Sequence, residues 1–316
     1  MRRLVSGSVL AALSLVCAAP ALLHAQTRVH TFYARVTDAA GKPLTALTPT
    51  DFGIIEAGKA RKVMRAAYGG VPPRVVILTD TSDAISRVIN PWRAGISALI
   101  DGIPTDDEIA LVSMGGHMRI RVQPGEGKNA DASATHKKAA DEAKRVFSDG
   151  GGTVLLDSLR EAYDRLLAKN DDRPAIIVLV TTDGPEISTS TREEEFNKLL
   201  GSLLARHTVV HAVVLGNGGT GVTGLIGGDS ASAGLQHVVA SNLTLNTGGT
   251  LETVAVATSL ADKMSAIAAT IRSQQDKLKD WYQVDYASDT PGSGQNLDVT
   301  ISNMDAKFEL SDRIPH

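Results

Sequence analysis

Arg74-Val75-Val76-Ile77-Leu78-Thr79-Asp80-Thr81-Ser82-Asp83-Ala84 is the stretch on which the reading of the chain turns. Val75 to Leu78 is a continuous apolar run, too short for a buried helix and suited to a strand covered on both faces. It ends abruptly in carboxylates and hydroxyls. Directly after them Ile85, Val88, Ile89, Ile96 and Leu99 return at helical spacing. Buried strand, polar junction, amphipathic helix is the building unit of an α/β sheet.

The unit recurs outward from this point. Strands are predicted at Ile109 to Val112, Met118 to Val122, Ala175 to Val180 and Val209 to Leu215. Between and after them come helices carrying Ala139, Ala143, Val146 and Phe147; Leu155, Leu159, Ala162, Tyr163 and Leu166; the span Arg192 to Arg206; and Leu260, Met264, Ile267 and Ile271. The pattern predicts an α/β fold over residues 71–273: a doubly wound, mostly parallel sheet with helices on both faces. Residues 216–235, rich in Gly and Ser, read as a mobile loop insertion.

The flanks alternate with period two instead. Phe32, Ala34 and Val36 face one way in the segment 27–70, and Tyr282, Val284 and Tyr286, then Leu297, Val299 and Ile301, do so in 280–316. Neither flank can bury a core alone, so the two are expected to pair into one small β unit.

The first 25 residues differ in kind: Arg2 and Arg3 precede an apolar run from Val9 to Leu23 that Ser14 and Pro20 interrupt. They read as a cleaved secretory signal, which makes the mature chain a secreted protein, periplasmic or extracellular. Ser14-Leu15-Val16 lacks the small residue expected before a lipidated cysteine, and Cys17 is the only cysteine, so the mature chain has no disulfide and no thiolate. Losing Arg2 and Arg3 takes the net charge from −3 to −5, which argues against a nucleic-acid partner. The remaining apolar runs are strand-length, so no transmembrane span is expected in the mature chain.

Ligands of open α/β sheets gather where strands end and helices begin. Three junctions stand out: Asp80-Thr81-Ser82-Asp83-Ala84, Asp149-Gly150-Gly151-Gly152-Thr153 and Thr182-Asp183-Gly184. Their side-chain donors are hard oxygens without His or Cys, a set suited to Mg²⁺ or Mn²⁺. With these residues the chain resembles the von Willebrand factor type A domain, whose metal-ion-dependent adhesion site joins an Asp-x-Ser-x-Ser segment to a distant Thr and a distant Asp. The resemblance implies Asp80, Ser82, Thr153 and Asp183 as metal ligands, in that order along the chain. It also implies a binding or adhesion module, not an enzyme, whose cation keeps a position open for an acidic group on a protein or surface ligand. A helix starting near Ile85 would aim its positive end at that group, adding about 0.3–1 kcal/mol.

One position departs from the family pattern: Ala84 stands where a second Ser would ligate. Two readings stay open, a cation site with water in the vacancy, weakened about ten- to a hundred-fold, and a structural interaction scaffold with a degenerate, metal-free site. Whether Asp83 faces the ion is also open, and helix capping is the competing account of Ser82 and Thr153. The segments Asp38-x-x-Gly41-x-Pro43, Asp51-Phe52, Glu56-Ala57-Gly58-Lys59 and Trp281 to Tyr286 with Pro291-Gly292 further resemble a secreted bacterial family with a von Willebrand factor A-related domain.

Other chemistries find less support. Gly216-Asn217-Gly218-Gly219-Thr220-Gly221 has the spacing of a dinucleotide fingerprint but no acid about 20 residues on. Gly228-Asp229-Ser230-Ala231-Ser232 lacks the second glycine of a nucleophile elbow. Ser82, standing two after Asp80, removes the second carboxylate of an Asp-x-Asp phosphatase. His207, His211 and His237 read as surface or strand-end residues, His117 and His136 as exposed.

Overall fold

The computed structural model describes residues 28–125, 131–168, 173–216, 234–288, 297–302 and 305–312. The signal-type segment, the glycine-rich stretch from Asn217 to Ala233 and the Pro291-Gly292 loop lie outside them. In chain order the elements are β1 (Arg28–Thr37), β2 (Phe52–Glu56), β3 (Lys59–Arg61), β4 (Val63–Tyr68), β5 (Arg74–Thr79), α1 (Ile89–Gly102), β6 (Glu108–Ser113) and β7 (Arg119–Val122). Then follow α2 (Ala132–Ala143), α3 (Leu155–Ala162), β8 (Ala175–Thr182), α4 (Glu193–Ala205), β9 (Val209–Leu215), α5 (Leu235–Thr247), β10 (Leu251–Val254) and α6 (Leu260–Leu278). The last strands are β11 (Tyr282–Ser288), β12 (Leu297–Ile301) and β13 (Lys307–Ser311).

The fold is α/β. The main sheet runs β10-β9-β8-β5-β6-β7, parallel throughout except for the antiparallel edge strand β7. Every residue of β5, β6, β8 and β9 is buried, because helices cover both faces. Val75 and Ile77 point to a core shared with α1, α2 and α6, while Val76 and Leu78 point to one shared with α3, α4 and α5. Each such side chain contributes about 1.5–3 kcal/mol on burial. Contact between α1 and α6 is close enough that a Cβ on Gly102 would stand 2.5 Å from the Cβ of Ala268.

The chain ends form a small sandwich, in which the sheet β13-β1-β11-β4 faces the sheet β12-β2-β3. Phe32, Val36, Phe52, Ile54, Tyr282, Val284, Tyr286 and Val299 fill the space between. Ala57 and Gly58, at φ 50° and 77°, make the two-residue turn from β2 to β3 that the strand twist favours. Glu56 is buried in this sandwich, paired with Arg61 Nε at 3.0 Å and accepting hydrogen bonds from the Tyr286 hydroxyl at 2.9 Å and from the Ser288 hydroxyl. Tyr33, Leu278 and Trp281 pack with Val209 where the sandwich meets the main sheet.

Several elements differ from the sequence reading. Helix α2 ends at Ala143, and Phe147 is exposed with Arg121 5.2 Å from its ring centre. Tertiary bonds take over there: the Ser148 hydroxyl donates to Ser82 O at 3.1 Å and Asp149 N to Thr81 O at 2.6 Å. Helix α5 and strands β10 and β13 had no counterpart; in α5 exposed Val238 and Leu245 break the apolar stripe on which helix prediction depends. His136 is buried, not exposed. His211 is no surface residue either: it lies mid-strand in β9 with no exposure, and its Nδ1 accepts from Thr250 N at 3.1 Å. A ring with one polar partner packs there as a neutral group, and burial pushes its pKa down to about 4.

Two outcomes follow from this packing. Glu56→Ala leaves Arg61, Tyr286 and Ser288 without their buried acceptor and should cost about 3–5 kcal/mol in urea unfolding; a loss under 1 kcal/mol would mean that the sandwich does not need the pair. For His211, the unfolded chain protonates near pH 6.5 and the folded chain only near 4. Stability therefore falls as pH drops through that window, by about 3 kcal/mol. His211→Asn cannot titrate, so its stability deficit relative to wild type should shrink between pH 7 and pH 4.5, and a constant deficit would contradict the assignment.

Candidate metal centre at the carboxyl edge of the sheet

Strand β5 delivers Asp80 to the sheet edge still in register: its N–H donates to Val180 O of β8 at 2.8 Å, and the side chain has no exposure. Asp80 Oδ1 accepts from Ser82 N at 2.8 Å and Oδ2 from the Thr182 hydroxyl at 2.7 Å. The same hydroxyl accepts from Gly184 N at 3.1 Å, and Asp183 N donates to Leu215 O at the end of β9 at 3.1 Å. Asp80 and Asp183 therefore sit on neighbouring strands at one end of the sheet. A Cβ on Gly184 would stand 3.1 Å from the Ala84 Cβ and 4.0 Å from Ser82 Oγ, so the two junctions touch.

Thr153 comes to the same edge through backbone pairing. It bridges Gly115 on one side and Glu186 on the other, with its N–H donating to Pro185 O at 2.9 Å and Ile187 N donating to its carbonyl at 2.8 Å. Its side chain is wholly buried and its hydroxyl has no hydrogen-bond partner. Capping does not explain Thr153: the residue before α3 is Val154, and Leu155 N is satisfied by Glu186 Oε2 at 3.2 Å. Burial raises the Glu186 pKa, against the hydrogen bonds it accepts. Ser82 does cap, though a different element. It opens a 3₁₀ segment, Asp83–Val88, accepting from Ala84 N at 3.3 Å. The long helix starts at Ile89 instead of near Ile85, so its macrodipole is set back from the rim.

The loops are locked to one another by residues that the motif spacing leaves as unspecified positions. Thr81 is buried, with its hydroxyl accepting from Gly115 N at 2.8 Å and donating to Asp149 Oδ2 at 2.9 Å. Gly115 has to be glycine, since a Cβ there would lie 2.3 Å from Thr81 O. Asp149 in turn pairs with Arg121 at 3.1 Å and Arg119 at 3.5 Å. Asp83, exposed, faces the glycine loop, accepting from Gly151 N at 3.0 Å and from the Ser148 hydroxyl at 3.3 Å. A sequence signal for Thr81 and Thr182 existed in their place beside the motif aspartates, but only the fold says what they bond.

What the rim can hold follows from its donors. Asp80 uses two of roughly four lone-pair positions on its carboxylate, Thr153 offers an unpartnered hydroxyl oxygen, and all are hard oxygens. A hard divalent cation suits such a set. Among the described residues no cluster of three or more His, Cys, Asp or Glu has metal-binding geometry, which leaves this mixed carboxylate and hydroxyl set as the candidate.

A model of the von Willebrand factor type A domain matches residues 61–186, a stretch that contains Asp80, Ser82, Thr153 and Asp183. No curated protein matches the chain. Among solved structures, a von Willebrand factor type A protein from Catenulispora acidiphila is 12% identical over 80% of this chain and 51% of its own, with TM-score 0.48. The conserved hypothetical protein BatB from Bacteroides thetaiotaomicron is 13% identical over 64% of this chain and 99% of its own, TM-score 0.45. Proximal thread matrix protein 1 of the mussel byssus is 14% identical over 71% of this chain and 50% of its own, TM-score 0.44, and is also known with a zinc-occupied MIDAS motif. The chain spans about half the length of the Catenulispora and mussel proteins. The match places a von Willebrand factor type A domain over residues 61–186, which include β5 to β8 of the six-stranded α/β sheet.

Proposed function

We propose that this protein is a secreted or envelope-associated binding module that takes an acidic group of a protein or surface ligand through a divalent cation held by Asp80, Ser82, Thr153 and Asp183. The observation that carries the reading is the buried, unpartnered Thr153 hydroxyl on the sheet edge where Asp80 and Asp183 emerge. An orphan polar group of this kind costs about 1–3 kcal/mol, which a cation would offset. When bound, the cation supplies positive charge and an open coordination position. The chain's own residues do the rest: Ser82 N and the Thr182 hydroxyl orient Asp80, and Thr81, Asp149 and Asp83 hold the glycine loop against it.

Charge favours the same account. Asp80, Asp83, Asp149 and Asp183 outnumber Arg119 and Arg121 at the rim, so the bare protein repels a carboxylate and a divalent cation reverses that. Hard oxygen donors favour Mg²⁺ or Mn²⁺. The binding reading also leaves enzyme chemistry aside, since His211 is buried and the His117 ring accepts from Arg119 Nε at 2.6 Å. Export rests on the segment before residue 26, and no helix of the described residues is long and apolar enough to cross a membrane.

A second reading, a scaffold with a metal-free rim, draws on Ala84. Its methyl replaces the hydroxyl, and its N–H bonds Ser82 Oγ directly at 3.3 Å.

Thermal or urea unfolding with Mg²⁺ or Mn²⁺ and then with chelator separates the two. A cation at 100 times its Kd should add about 2.7 kcal/mol, and an unchanged curve would support the scaffold. Asp183→Ala should abolish the added stability while the chelated protein stays folded; a retained shift would put the ion elsewhere. Ala84→Ser should tighten Mn²⁺ binding about ten-fold, and weaker binding would overturn the assignment of the first junction.

A further inference from the structure

Helix α5 packs its inner face on the sheet through Val239, Ala240 and Leu243, yet the buried position in its first turn is Gln236, with no exposure at all. A buried amide is unfavourable unless its hydrogen bonds are made, and a leucine there would serve the core better. Gln236 does make them. Its Oε1 accepts from the Thr181 hydroxyl, and its Nε2 donates to Gly184 O at 3.0 Å. Both partners flank the candidate ligand Asp183. Thr181 and Thr182 project from opposite faces of β8, so that one hydroxyl is tied to α5 and the other to Asp80. With Asp183 N on Leu215 O and Gly184 N on the Thr182 hydroxyl, the turn that aims Asp183 is pinned from β9, from its own strand and, through Gln236, from α5.

We infer that Gln236 is a positioning residue of the metal centre: it fixes the Gly184 carbonyl, and with it the direction in which Asp183 presents its carboxylate. The inference rests on the cation reading of the rim and extends it to a residue that no ligand motif includes. Gln236 acts through Thr181 and Gly184, its two hydrogen-bond partners.

The test is Mn²⁺ titration of the full chain by calorimetry, with melting in chelator and amide hydrogen exchange at Gly184 as parallel readouts. Gln236→Leu keeps the apolar volume and removes both bonds. It should raise the Mn²⁺ Kd about ten- to a hundred-fold and speed exchange at Gly184, while its melting temperature in chelator falls only by what the orphaned Thr181 hydroxyl and Gly184 carbonyl cost. Gln236→Met likewise removes both bonds while fitting an apolar site, so it should show the same affinity loss, and it carries the test if the leucine variant does not fold. Wild-type Mn²⁺ binding with an unchanged Kd in both variants would overturn this inference alone. Absence of Mn²⁺ binding in the wild type would overturn the cation reading and this inference with it.

Discussion

One buried hydrogen bond organises the functional edge of this protein, the 2.7 Å contact from the Thr182 hydroxyl to Asp80 Oδ2. It joins the ends of two adjacent parallel strands whose register is set over their whole length, from Arg74 opposite Ala175 to Thr79 opposite Val180. A slip of either strand would exchange the faces of every side chain and strip both cores. The apolar interior thus fixes where the polar residues emerge, and Asp80 and Asp183 reach one end of the sheet as a consequence of how Val75 to Leu78 and Ile176 to Val180 pack.

The rim is also a network of polar groups. Most of its polar groups are buried and satisfied by other segments: Thr81 by Gly115 and Asp149, Asp149 by two arginines, Gln236 by Thr181 and Gly184. Such a network stiffens a surface only when nearly every member is paired. The Thr153 hydroxyl is buried there with no hydrogen-bond partner.

Much of this was readable in the residues. The buried strands were legible because four consecutive β-branched or aliphatic residues flanked by turn formers leave few alternatives, and Asp80, Ser82 and Asp183 stood out as candidates because they follow directly on two of those strands, Thr153 because its glycine loop opens a helix. Helix α5 was not, since Val238 and Leu245 face solvent and blur its period. Gln236, Thr81 and Asp149 escaped for a different reason: their roles are hydrogen bonds between segments far apart in the chain, which composition and spacing do not encode. His211 misled because a histidine reads as polar while its strand neighbours Val210 and Ala212 state the burial plainly.

Strand β1 lies between β11 and β13, and Thr31 bonds Asp285 across 254 positions of sequence. The sandwich therefore cannot close until the last strands have left the ribosome, whereas every strand of the main sheet is already present before Tyr282. Contacts so distant in sequence are slow to form. Until they do, β1 presents bare hydrogen-bonding edges and the apolar side chains Phe32 and Val36 to its surroundings, the state in which a strand pairs with the wrong chain. A nascent or clipped molecule lacking its final thirty or so residues would carry a finished α/β domain on a sticky stem, so the integrity of β11 to β13 governs solubility more than it governs the rim of the main sheet.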